Sequence, residues 1–202
     1  SAPRIMSNMI SGLHFTTGIY MSGNRSLAPD IETNAITVMD NSTCIDFQVF
    51  SPNIISNTLT FGHGSTGINA SGSSPWIEKN TCLGQGSSVG IRMLSSAFTA
   101  VNNTISGGAI GISAINCTPT LDANKFVQNS ELGAKLTLCK DVILRKNAFD
   151  RVAGNGAGSH LSIEADVVNS TNAQADMAPS YVRLLNTTYN ASGAKLDAGA
   201  RL

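Results

Sequence analysis

Asn8-Met9-Ile10, Asn34-Ala35-Ile36, Asn57-Thr58-Leu59, Asn80-Thr81-Cys82, Asn103-Thr104-Ile105, Asn124-Lys125-Phe126 and Asn147-Ala148-Phe149 are seven copies of one phrase, an Asn followed two residues later by an apolar side chain. Successive Asn positions lie 26, 23, 23, 23, 21 and 23 residues apart. Self-similarity at a period in the twenties marks a solenoid, whose units cannot bury an apolar face without a neighbour.

The surroundings of each Asn decide the kind of solenoid. Three residues before it stand Ile5, Ile31, Ile54, Ile77, Ala100, Leu121 and Leu144, so a second column is apolar in every copy. About ten residues after it comes Gly18, Cys44, Gly67, Gly90, Gly111, Gly133 or Gly158, followed by alternating apolar pairs such as Ile45/Phe47 and Ile91/Met93. Period two means strands. Each copy therefore reads as three short strands, stacked on those of the next copy at about 4.8 Å.

A leucine-rich repeat shares the period but needs a Leu-x-x-Leu-x-Leu run and a helix, and neither is present. The aligned Asn turn, the inward columns and the Gly-Ile strand starts of residues 4 to about 164 resemble the right-handed parallel β-helix family, which includes pectate-lyase-like enzymes and bacteriophage tailspikes. The fold expected is all-β, a right-handed parallel β-helix solenoid of about seven to eight three-strand rungs. The family hosts many activities, so the fold alone carries no function.

Composition points the same way. With 19 Gly, 13% charged and 5% aromatic residues, the chain is made of strands and tight turns. A net charge of zero leaves no basic footprint for nucleic acid. No apolar run approaches the roughly 20 residues that cross a bilayer, so no membrane insertion is expected.

In chain order, Ser1-Ala2-Pro3 leads straight into a rung, and a piece of a longer polypeptide, or a processed form seated on another domain, is expected. Pro52, Pro75 and Pro119 mark corners where one coil ends and the next begins. Residues 1–164 read as seven β-helix rungs. Residues 165–202 read as an irregular loop, then a degenerate last rung with Val182 and Leu184 alternating, Asn186 in the turn and Gly193-Ala194-Lys195-Leu196 echoing Gly133-Ala134-Lys135-Leu136, and a tail. Cys82 falls in an inward column. Cys117 and Cys139 each lie six residues after their Gly, so they stack one rung apart within disulfide reach, and stacked free thiols are the favoured reading.

Two outward columns carry the candidate chemistry. After the Gly run Tyr20, Asp46, Asn69, Arg92, Ser113, Lys135 and His160, a wall of hydroxyls, amides and separated charges suited to glycan binding. Its second outward column, Ser22, Gln48, Ser71, Leu94, Ile115, Thr137 and Ser162, stands two residues on. Before the Asn run Met6, Glu32, Ile55, Glu78, Val101, Asp122 and Arg145. Glu32, Glu78 and Asp122 recur every second rung, about 9.5 Å apart, near the upper limit for the paired carboxylates of an inverting glycosidase. They are the candidate catalytic residues, while Tyr20, Asp46, Asn69, Arg92, Lys135 and His160 are the candidate glycan-binding residues. No metal site and no cofactor are expected, because the clustered acids of a Ca²⁺-dependent lyase are missing.

The resemblance to tailspikes implies a virion appendage, extracellular and homotrimeric, that recognises and also cleaves or only binds a bacterial surface polysaccharide. Ile55 and Val101 between the acids, with Met6 and Met9, suit the subunit contact that such a trimer needs. The alternatives are a secreted pectate-lyase-like lyase, hydrolase or epimerase, and a structural β-helix shaft without a ligand.

Overall fold

The computed structural model describes residues 2–23 and 28–149, together with the backbone of Asp150 and of the strands Leu161–Glu164, Val182–Leu185, Thr188–Tyr189 and Lys195–Leu196. Each coil holds three strands: in the fourth they are Trp76–Glu78, Thr81–Leu83 and Val89–Leu94. Like strands of successive coils pair in parallel, giving three eight-stranded sheets, and no helix occurs among the described residues. The first sheet holds the strands before each Asn, the second those after it, and the third those that follow the Gly.

The register is the one that the apolar columns require. Ile5, Ile31, Ile54, Ile77, Ala100, Leu121 and Leu144 stack in the first sheet. Ile10, Ile36, Leu59, Cys82, Ile105, Phe126 and Phe149 stack in the second. From the second coil to the seventh these side chains are 0–1% exposed, so the columns form one continuous core. Phe126 and Phe149 lie ring on ring, centroids 4.6 Å apart and 14° from parallel, as the rung spacing dictates. Phe61 fills the space over Gly67 and Gly84, where a Cβ would stand only 2.8 and 2.7 Å from its ring.

The bends are held by ladders. From Asn34 to Asn147 each Asn side-chain oxygen accepts both the backbone N–H and the Nδ2 of the Asn one coil earlier, as Asn80 Oδ1 does from Asn57, both at 2.9 Å. The amide then donates to the preceding coil's carbonyl, as Asn80 does to Ile54 at 2.7 Å. Donors and acceptors that the bend removes from the sheets are thus satisfied at 0–1% exposure, which explains a buried polar column in an apolar core. The residue before each Asn takes the left-handed conformation that turns the chain: Ser7, Thr33, Ser56, Lys79, Asn102, Ala123 and Lys146, with φ between 54 and 56°. The corner prolines include two that the repeat reading passed over. Carbonyls of Pro3, Pro29, Pro52 and Pro75 accept the N–H at the start of the next coil's first-sheet strand, and that of Pro119 accepts from Ile143, the second residue of its strand.

The last coils bring one correction. Leu161–Glu164 pairs Lys135 with Ser162 and Thr137 with Glu164, so Ser162 moves from the second outward column to the first, which was assigned to His160. A shift by two residues preserves the in-and-out alternation and is invisible to it. His160 itself, the 165–181 segment and Asn186 lie outside the described residues. The echo in the final rung has a structural counterpart, because Lys195 pairs with Ser162 and Leu196 with Ile163.

All four cysteines are free and buried. Cys117 and Cys139 extend the corner column of Ser73 and Ser96, in which Ser73 N–H donates to Ser96 Oγ at 3.2 Å and Ser96 N–H to Cys117 Sγ at 3.4 Å. Cys139 stacked beside it, with that N–H, lowers the Cys117 pKa to about 7 against the cost of burial. Burial pushes the Cys82 thiol up to about 12 and holds Cys44 higher still.

Candidate functional site

The outer face of the first sheet gathers the richest chemistry. Two columns stand side by side on it. One runs Met6, Glu32, Ile55, Glu78, Val101, Asp122 and Arg145, in the register read from the sequence; the other runs Arg4, Asp30, Asn53, Trp76, Thr99, Thr120 and Ile143.

At one end, Arg4 bridges two carboxylates, Nε to Asp30 Oδ2 at 3.4 Å and Nη2 to Glu32 Oε2 at 3.5 Å. Asp30 also accepts from Asn53 Nδ2 at 2.9 Å. At the other end, Arg145 Nη2 meets Asp122 Oδ2 at 2.6 Å, while Asp122 Oδ1 is buried with no donor among the described residues. Such an orphaned acceptor asks for a hydrogen-bond donor.

Between these ends lies Trp76, the one Trp of the chain, 43% exposed. Trp76 Nε1 donates to Glu78 Oε2 at 2.9 Å, and Lys79 Nζ meets Glu78 Oε1 at 2.8 Å. Both oxygens are occupied, and these hydrogen bonds, Lys79 first and then Trp76, hold the Glu78 carboxyl below its usual range. The pinned indole is followed rung by rung by the half-buried Thr99 and Thr120.

The three acids sit every second rung, as read. Glu32, Glu78 and Asp122 each meet a cation, and of the three Glu78 is the one whose carboxyl is held below its usual range. A general acid needs the opposite, a carboxyl whose pKa is raised. Trp76 escaped the repeat reading because outward positions carry no periodic constraint; its signal was simply a lone Trp at an outward strand position.

The third sheet aligns Tyr20, Asp46, Asn69, Arg92, Ser113 and Lys135 in one outward column. Tyr20 is 58% exposed, and Asn69 Nδ2 donates to Asp46 Oδ1 at 2.8 Å. Leu94 and Ile115 stand exposed in the column beside it, giving this face an apolar strip. Its aromatic side chain, Tyr20, stands at one end of the column rather than within it. Among the described residues, no three His, Cys, Asp or Glu side chains converge to hold a metal ion.

The family model for the right-handed β-helix region matches residues 17–172 of the chain. The comparison with curated proteins finds no match. Among solved structures, trypsin-treated QnrB1, described as a plasmid-mediated fluoroquinolone resistance protein, aligns over 91% of this chain and 91% of its own, at 10% identity and a TM-score of 0.23.

Proposed function

The chain belongs to the right-handed β-helix family, and on that scaffold we propose that the first sheet is a saccharide-recognition face anchored by Trp76. The observation that carries the reading is the half-exposed indole, pinned to Glu78 at 2.9 Å in line with the Thr99 and Thr120 hydroxyls. An indole offers an apolar surface to the C–H face of a sugar ring, and the Thr99 and Thr120 hydroxyls, one rung apart, can bond its hydroxyls. Recognition is favoured over cleavage, because Glu32, Glu78 and Asp122 are already engaged by Arg4, Lys79 and Arg145.

A bacterial surface polysaccharide is the ligand that the tailspike resemblance implies, in a virion appendage. Its homotrimer would pack along Met6, Ile55 and Val101 of this same sheet, placing the saccharide beside the subunit contact. Light scattering tests that assembly: a mass near three times 21.0 kDa would support it, and a monomer would remove it.

Because Trp76 is the one Trp, its emission reports directly on the face. Titration with a panel of purified bacterial capsular and O-antigen oligosaccharides should shift that emission for at least one member. Trp76→Ala should abolish binding of that member by calorimetry while the circular dichroism stays unchanged. Undiminished binding by the Ala variant would sink the reading, as would a panel without a single ligand.

A further inference from the structure

The corner column of Ser73, Ser96, Cys117 and Cys139 changes character where sulfur replaces oxygen. Between the serines one contact joins coil to coil, the Ser73 N–H to Ser96 Oγ. Between the cysteines the contact is doubled, because Cys139 Sγ bonds both the backbone N–H and the thiol of Cys117.

The backbone holds the pair in register. Asn116 N–H donates to the Thr137 carbonyl at 2.9 Å and Lys140 N–H to the Cys117 carbonyl at 2.8 Å, so the parallel ladder runs through the corner on both sides of the thiols. A rung of about 4.8 Å falls within the roughly 4.4–6.8 Å Cα separation at which disulfides form. Cys139 Sγ also donates to the Ala114 carbonyl at 3.5 Å, and Ala114 lies on the coil that Cys117 closes, so the thiol leans toward its neighbour. Cys44 and Cys82 supply the contrast, standing in the second and fourth coils, with two rungs, roughly 9.6 Å, between them.

We propose that Cys117 and Cys139 form an oxidative modification site, at which a peroxide converts the two thiols into a disulfide that staples the fifth coil to the sixth. Cys117 is the attacking sulfur, since Cys139 and the Ser96 N–H bond it in the form that carries the charge. Its electron pair breaks the O–O bond of hydrogen peroxide, leaving a sulfenic acid and, with the thiol proton, one water. Cys139 Sγ then attacks that sulfur and displaces the hydroxyl, which leaves with the Cys139 proton as a second water. Two electrons and two protons pass from the thiols to the peroxide. Asn116 and Thr118 flank Cys117 at the surface, as Leu138 and Lys140 flank Cys139, so a small oxidant needs only a local opening of this corner.

The test treats the reduced full chain with hydrogen peroxide, blocks remaining thiols in urea, and maps tryptic peptides without reductant. Trypsin cuts after Lys125 and Lys135, between the two cysteines, so a Cys117–Cys139 link joins two separate peptides. That linked pair is expected, with Cys44 and Cys82 recovered as blocked thiols. The thermal midpoint should rise on the order of 5–10 °C and fall back with dithiothreitol. Cys139→Ser, which extends the serine column, should show neither the link nor the shift. The proposal is overturned if peroxide links another pair or two copies of the chain. It is equally overturned if Cys117 and Cys139 stay unlinked where the urea-unfolded chain is oxidised, or if Cys139→Ser gains the same shift.

Discussion

Trp76 and Glu78 face the same way from one strand, and the indole N–H is tied to the carboxylate at 2.9 Å. The carboxylate's second oxygen is held by Lys79, so the ring is anchored to a group that is itself anchored. Immobilising a side chain on binding costs about 0.5–1.5 kcal/mol, and a ring already held avoids part of it. Glu78→Ala should therefore lower the fluorescence anisotropy of Trp76 and weaken saccharide binding several-fold, without altering the melting transition beyond the small shift of a surface substitution. Unchanged anisotropy would show that the indole is held by something else.

The same pair sets a pH dependence. Lys79 and Trp76 both favour the ionised Glu78, so its folded pKa lies below its unfolded one. For a depressed carboxyl, the stabilisation is present above the unfolded pKa and is lost as pH falls through the folded value. Trp76 emission should thus stay constant through pH of about 4.3, where an ordinary Glu is half protonated, and change only at more acid pH. Glu78→Gln should remove the transition, and a midpoint at or above the ordinary range would contradict the pairing.

Legibility in the sequence followed physical constraint. Ile31, Ile54 and Ile77 had to be apolar because they point into a space shared by every coil, and Asn34, Asn57 and Asn80 had to recur because each completes its neighbour's hydrogen bonds. Outward residues answer to no such rule. The columns of Glu32, Glu78 and Asp122 and of Asp46, Asn69 and Arg92 could be placed once the inward register was known, but their ion pairs could not. Trp76 occupied a column that the reading of acids passed over. Ser162 shows the limit of alternation, which fixes parity but not a shift by two.

The ladder makes a quantitative contrast possible. Asn80 accepts two hydrogen bonds from Asn57 and donates to Ile54, Glu78 and Asn103, at 1% exposure. Asn80→Ala strands several buried groups at about 1–3 kcal/mol each, so a loss of roughly 3 kcal/mol or more is expected. Asn69→Ala removes one bond on the outer face, to Asp46, and should cost about 0.5 kcal/mol or less. Urea denaturation of the two variants compares them directly, and similar losses would mean that the ladder is not what holds the bend.

The thiols should differ in reactivity. The stacked Cys139 and the Ser96 N–H lower the Cys117 thiol against the cost of burial, whereas burial raises that of Cys82. Iodoacetamide on the folded protein, read by peptide mass spectrometry, should modify Cys117 before Cys82 and Cys44. Equal labelling of Cys44 and Cys82 would indicate reaction through an opened coil instead.

The strained corners offer a gain in stability. Ala123 holds φ at 54°, where an L residue pays roughly 1–2 kcal/mol. Asn tolerates this region because its short polar side chain bonds locally, and one coil earlier Asn102 occupies the equivalent place, also at 54°. Ala123 N–H donates to the Arg145 carbonyl at 2.8 Å, so the backbone is committed to this conformation and cannot relax out of it cheaply. Ala123→Asn should raise the thermal midpoint, by an amount equivalent to about 0.5–1 kcal/mol, and Ala123→Val, whose branched Cβ suits this region least, should lower it. If both variants shift the midpoint in the same direction, the left-handed corner is not where the strain resides.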